Sequence, residues 1–311
     1  MRVVVFGYHN IGHVCLQELL RQGHEVAAVV THEDDPSEEI WFASVPQLAR
    51  SSGLPTYTPT NPNTPEFVNL IGGLQPELLF SFYYRHLLKA PLLGLPSRGC
   101  LNLHGSYLPQ YRGRCPVNWV LVNGESYTGV TLHHMVEQPD AGDIVAQRKV
   151  PIAFEDTAAT LYVKMTAAAG EMFAEVLPQL AAGTAPRVLQ NQSQASYYGG
   201  RKPADGEFHW DWPGLRTYNL VRAVTHPYPG AYTSFGGRRL LVWECVPIEN
   251  ELLATPPGSV VAVNVEGIVV ATGENQLLLQ SVQLEGEAQM SGTEFARLHD
   301  LRVGETMSAR A

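Results

Sequence analysis

The sequence predicts an α/β fold: a Rossmann-like, mostly parallel sheet followed by a smaller C-terminal OB-like β-barrel domain. Three observations predict it. The first 30 residues read as apolar run, helical period, apolar run; strand-like runs and helical segments alternate as far as Leu180; and beyond residue 204 the pattern changes to one helix and five short strands. With 311 residues the chain has room for two domains, expected at 1–204, including a connecting segment, and at 205–311.

Val3 to Phe6 is a continuous apolar run ending in Gly7, after which Ile11, Val14, Cys15, Leu19 and Leu20 recur at helical spacing as far as Gly23. Val26 to Val30 supplies the next strand, so the opening is a βαβ unit with a right-handed crossover. The turn between, Gly7-Tyr-His-Asn-Ile-Gly12, lacks the glycine spacing that lets a backbone approach a pyrophosphate, which speaks against a dinucleotide site. His32 to Glu39 reads as an acidic, solvated loop, Trp41 to Ser52 as a weak helix, Pro55 to Pro65 as turns, Glu66 to Leu74 as a helix and Leu78 to Phe82 as a strand. Tyr83 to Leu88 then crowds aromatic and polar residues at a strand's carboxyl end, where open α/β sheets take ligands. The segment reads equally as a pocket wall or as a packed aromatic cluster with a surface arginine.

Gly99 to Leu103 is a strand leading into His104-Gly105 and the loop Ser106 to Arg114, rich in Pro, Gly and Tyr. Pro116 to Val122 follows as a helix with Pro in its first turn, where a missing N–H costs nothing. Thr131 to Met135 and Ile144 to Val150 form an antiparallel addition to the sheet edge. Leu161, Met165, Ala168, Met172, Val176 and Leu180 mark a long amphipathic helix that core packing explains, and Ser193 to Ala204 reads as the connection. A helix from Trp212-Pro213 through Val224 precedes strands at Ala231–Phe235, Leu240–Val246, Ser259–Val263, Gly267–Ala271 and Gln276–Leu284, which suit a small barrel.

Composition excludes several classes. No apolar stretch reaches bilayer length and the first strand begins almost at Met1, so a cytoplasmic protein without membrane insertion or targeting segment is expected. Cys15, Cys100, Cys115 and Cys245 form no CxxC pair and have no histidine cluster at metal spacing, so buried, reduced thiols and no metal are expected. Net charge is −9: residues 1–204 carry 14 basic and 17 acidic side chains, residues 205–311 carry 7 and 13. Neither half resembles a phosphate-backbone binder, so no nucleic-acid partner is expected.

The stretch from Asn102 to Asp140 carries the chemistry. Asn102 and His104, two apart in a strand, project from one face; Asp140 falls in a loop beside Pro139 and Gly142. Such a carboxylate orients and charges an imidazole. Taken alone, the triple reads better as a buried histidine satisfied by a structural asparagine and a capping aspartate.

The surrounding wording changes that balance. Asn102-Leu-His104-Gly-Ser-Tyr-Leu-Pro109, Tyr111-Arg-Gly-Arg114 and Asp140-Ala-Gly-Asp143-Ile resemble the 10-formyltetrahydrofolate-dependent formyltransferases. So do Phe80 to Arg85, Pro116 to Gly124, Gly129-Val-Thr-Leu-His133 and Val221 to Gly230, so that the resemblance spans essentially the whole chain. Within the family it is most similar to members that formylate UDP-4-amino-4-deoxy-L-arabinose in lipid A modification. The resemblance implies Asn102, His104 and Asp140 as catalytic residues, the aspartate raising the histidine's pKa. It implies folate contacts at His86, Leu87, Leu88, Arg114, Val136, Glu137, Gln138, Pro139 and Asp140, with 10-formyltetrahydrofolate as co-substrate and a nucleotide-linked amino sugar as acceptor.

Two departures bear on the acceptor. Tyr107 stands where the family commonly has Leu, and the bifunctional members continue into a decarboxylating dehydrogenase, whereas this sequence stops at Ala311. A separate decarboxylase partner or a different acceptor would follow, and homo-oligomerisation stays open. Alternatives of the same fold are methionyl-tRNA formyltransferase, which needs a basic surface, and a formyltetrahydrofolate hydrolase, which usually carries a domain ahead of the first strand. A folate- or nucleotide-binding module without catalysis is the non-enzymatic alternative.

Overall fold

The computed structural model describes residues 1–35, 40–249 and 255–307, so residues 36–39 of the expected acidic loop lie outside it. The chain divides into two compact units. One comprises Met1–Pro116, Tyr127–Ile152 and Tyr162–Gly199; the other comprises Val117–Ser126, Ala153–Leu161 and the chain from Gly200 onward.

The first unit opens with β1 (Arg2–Gly7), α1 (His9–Arg21) and β2 (Glu25–Val30), the βαβ unit expected from the apolar runs. The helix expected from Trp41 begins only at α2 (Val45–Ser51), because the Ser44 hydroxyl caps it by accepting from Gln47 N–H at 3.2 Å. Within the turn-rich segment lies a short strand, β3 (Thr56–Tyr57), and Thr64 caps α3 (Pro65–Gly73). Then come β4 (Leu78–Phe82), α4 (Ala90–Leu93), β5 (Cys100–His104) and the two-residue β6 (Arg112–Gly113).

After α5 (Pro116–Val122), the strands β7 (Tyr127–His134) and β8 (Ile144–Pro151) complete a seven-stranded sheet of order β3-β2-β1-β4-β5-β7-β8. Strands β1 to β5 pair in parallel, whereas β5–β7 and β7–β8 pair antiparallel. The chain moves outward from β1 to β3 and returns to β4, so the strand order reverses between β1 and β4, where crevices for ligands form. Val4, Phe6, Val30, Leu79, Leu88 and Leu92 belong to one buried cluster, and Phe80 and Phe82 pack against Phe173 of α6 (Ala158–Ala182). Each such side chain contributes roughly 1.5–3 kcal/mol by leaving water. The expected connection does more than connect: β9 (Tyr197–Tyr198) pairs with β6.

The second unit contains α7 (Gly214–Val224) and the strands β10 (Ala231–Phe235), β11 (Arg238–Ile248), β12 (Val260–Asn264), β13 (Gly267–Ala271) and β14 (Gln276–Leu284). These are the five predicted runs. They pair antiparallel in the order β10-β11-β14-β13-β12, an arrangement of the small-barrel kind. The sequence reading missed β15 (Met290–Ser291) and α8 (Gly292–Leu298), the latter capped by Ser291. Among the described residues no helix is long and apolar enough to cross a membrane.

Candidate active site

Strand β5 presents Asn102 and His104 on one face, and β7 runs antiparallel beside it with Asn102 opposite His133 and His104 opposite Thr131. The loop from Met135 to Asp143 folds back over this face and delivers Asp140, whose backbone takes a left-handed conformation at φ 56°. Gly142 lets the loop close, since a Cβ there would strike the His134 carbonyl oxygen. On the other side, the β4 end abuts the β5 end: the Tyr83 hydroxyl occupies the space a side chain would need at Gly105.

The loop after His104 is anchored by β7 and β8. Thr131 Oγ1 donates to the Ser106 carbonyl at 2.7 Å and accepts from Leu108 N–H at 3.1 Å, and Gln147 Nε2 donates to the Leu108 carbonyl at 2.8 Å. Tyr107 is turned away into this anchor. Its ring fills the space over Gly129 and receives the Lys149 ammonium 5.3 Å from its centroid, a second ring, Tyr127, lying 4.4 Å from the same ammonium.

The structure brings the three expected residues together and adds a fourth. His104 Nδ1 and His133 Nε2 each lie 3.5 Å from Asp140 Oδ1, and Asn102 Nδ2 lies 3.2 Å from His133 Nε2. Asp140 Oδ2 accepts from Gly113 N–H at 2.8 Å. His104 Nε2 donates to the Tyr111 carbonyl at 2.8 Å, so a ring carrying protons on both nitrogens satisfies both of its neighbours. Burial works against ionising Asp140. The charge of His104 and the Gly113 N–H outweigh it and hold the carboxyl well below the usual carboxylate range.

A second buried network braces the same loop. Arg112, 1% exposed, donates to Gln190 Oε1 at 2.6 Å and 3.2 Å, to Gln192 Oε1 at 3.0 Å and to Tyr197 Oη at 2.8 Å. Gln190 Nε2 donates in turn to the carbonyls of Asp140 at 2.8 Å and Gly142 at 2.6 Å. Among the described residues this buried cation donates to neutral acceptors, and one of them, Gln190, positions the Asp140 loop.

The residues expected to contact folate divide. His86, Leu87, Arg114 and Val136 to Pro139 are exposed, Leu87 at 71% and Val136 at 43%. Leu88 is not: its side chain belongs to the core cluster, because Asn63 grips both its neighbours, donating to the Leu87 carbonyl and accepting from Lys89 N–H. Around Tyr84 the structure shows the packed aromatic cluster with an exposed arginine. Tyr84 packs edge-on against Phe6 and stacks on His32, while Arg85 sits over Tyr8 at 4.7 Å.

Sequence reasoning missed His133, Arg112 and Gln190 as parts of the site. His133 carried a signal, being two residues from Thr131 in a strand and so on the same face. Nothing in the sequence marked Arg112 as buried.

A profile described as formyl transferase matches residues 1–177, and one described as formyl transferase, C-terminal domain, matches residues 201–300. Among solved structures, the chain is similar to an N-formyltransferase from Helicobacter canadensis in complex with folinic acid and dTDP-3-aminofucose: 19% identity over 89% of this chain and 98% of that one, TM-score 0.68. It is also similar to WlaRD, a sugar 3N-formyl transferase in the presence of dTDP and 5-N-formyl-THF, with 18% identity over 93% and 99% of the two chains and TM-score 0.71. HypX from Aquifex aeolicus in complex with tetrahydrofolic acid shares 20% identity over 98% of this chain but 48% of its own, with TM-score 0.64. At these identities the structures speak for the fold. The profiles reach further, since the first covers more than half of the sequence and the second falls on the C-terminal β unit: the chain belongs to the formyl transferase family of enzymes.

Proposed function

We propose that this enzyme moves the formyl group of 10-formyltetrahydrofolate to the amine of a nucleotide-linked 4-amino sugar, with UDP-4-amino-4-deoxy-L-arabinose as the acceptor its sequence resemblance favours. The observation that carries the reading is the cluster of Asn102, His104, His133 and Asp140, an amide donor and two buried imidazoles around one ionised carboxylate. The Helicobacter canadensis enzyme and WlaRD hold a folate together with a dTDP-sugar or dTDP, which supports the same pairing of donor and acceptor classes here. Exposed apolar side chains at Leu87 and Val136 fit the flat ring system of a folate.

The folate supplies an activated formyl carbon. Asn102 donates an amide N–H to the formyl oxygen as that oxygen gains charge under attack by the amine. His104, turning its Nε2–H from the Tyr111 carbonyl to the folate, yields that proton to the nitrogen that the formyl group leaves and recovers one from the amine that receives it, so the ring ends as it began. Asp140 stabilises the cationic ring and fixes its orientation from 3.5 Å.

The test is to supply 10-formyltetrahydrofolate with candidate acceptors and follow tetrahydrofolate release. Release that requires a UDP- or dTDP-linked 4-amino sugar supports the reading. Release with charged initiator tRNA, release without any acceptor, or binding without release would replace it with a tRNA formyltransferase, a hydrolase or a binding module respectively. His104→Ala is expected to lower turnover about 10³-fold with an unchanged circular dichroism spectrum. Near-normal turnover in that variant would sink the assignment.

A further inference from the structure

Building on the formyl-transfer reading, we infer that His133 is a positioning residue that decides which end of the Asn102 amide faces the reacting centre. Antiparallel pairing of β5 and β7 sets the two residues directly opposite each other, so their side chains share one face at close range. The His133 ring is 1% exposed. Its Nδ1 donates to the His134 carbonyl at 2.9 Å, which commits the ring proton to that nitrogen. Nε2 is then a bare acceptor, 3.2 Å from Asn102 Nδ2.

A carboxamide has donors only on its nitrogen and acceptors only on its oxygen. An acceptor at His133 Nε2 therefore draws in the NH2 group and turns Oδ1 away. Asp140 Oδ1, 3.5 Å from the same Nε2, places negative charge on that side and disfavours the amide oxygen there further. His104 lies 3.5 Å from that carboxylate oxygen, so the NH2 end of Asn102 is held on the side where the histidine works. One N–H bonds to His133 and the second turns to the formyl oxygen. Rotated by half a turn, the amide would oppose a developing oxyanion with its own oxygen.

His133→Leu removes the acceptor at similar bulk, and His133→Gln restores one near the position of Nε2. The expected result is a fall in kcat on the order of 10²-fold for His133→Leu, with both KM values as in the wild type, and recovery of most of that loss in His133→Gln. Wild-type kcat in His133→Leu overturns the inference, as does a His133→Gln no faster than His133→Leu when both melt like the wild type. Should His133→Leu fail to fold, the spectrum of the 15N-histidine-labelled wild-type protein decides. A neutral ring protonated at Nδ1 supports the inference, and a ring protonated at Nε2 overturns it. Asn102→Ala run in parallel separates the two levels. Full turnover there sinks the formyl-transfer reading itself, whereas slow Asn102→Ala beside fast His133→Leu sinks only the role of His133.

Discussion

Around β5 and β7 the first unit buries amide, imidazole, carboxylate and guanidinium groups, whereas between β13, β14 and α8 the second unit buries Ile268, Val270, Leu277, Leu279, Val282 and Phe295. The hydrocarbon region stabilises by area removed from water, and many side chains of similar volume would serve. The polar region stabilises only while every group keeps its partner, because a buried polar atom without one costs about 1–3 kcal/mol. Fixed orientation is what that region gains in exchange. A carboxylate that lies 3.5 Å from two imidazoles and accepts from Gly113 N–H cannot drift without losing those contacts.

Four changes test this contrast. Leu279→Ala, at a fully buried position of β14, is expected to cost about 3 kcal/mol in urea unfolding while turnover per folded molecule stays that of the wild type. Loss of turnover without loss of stability would break the comparison. Arg112→Met should cost about 2 kcal/mol, since Gln190, Gln192 and Tyr197 lose their donor. Here turnover should fall as well, because Gln190 holds the Asp140 and Gly142 carbonyls. Ser291→Ala removes the hydroxyl that accepts from Glu294 N–H at the start of α8 and should lower stability by about 1 kcal/mol, read as a small drop in thermal midpoint.

The last test is a slope. Asp140 is depressed in the folded state, so its contribution to stability is fully present above the unfolded carboxyl pKa of about 3.9 and fades as pH falls below it. Asp140→Asn should therefore flatten the dependence of stability on pH in acid, below about pH 4, relative to the wild type. Parallel acid slopes in the two proteins would show that the carboxylate is not held as described.

Much of the fold was legible because strands and helices announce themselves through local period. The βαβ opening, β4, α5 and the five runs of the second unit all rest on spacings within a few residues. Asn102 and His104 were legible as a pair for the same reason. Tyr107 and Leu88 show where locality ends. The side chain of each is placed by a neighbour distant in the chain, Gly129 for the first and Asn63, beside Leu88, for the second.

By itself, then, the sequence determined the strand and helix pattern, the sharing of one face by Asn102 and His104, and the family resemblance carried by the loop that follows them. Only the tertiary structure decided that His133 stands beside Asn102, that Asp140 serves two imidazoles, and that Arg112 is buried. The physical reason is register. Period tells which face a strand residue occupies, but which residue of which strand lies across from it is settled by packing over distances the local pattern does not encode.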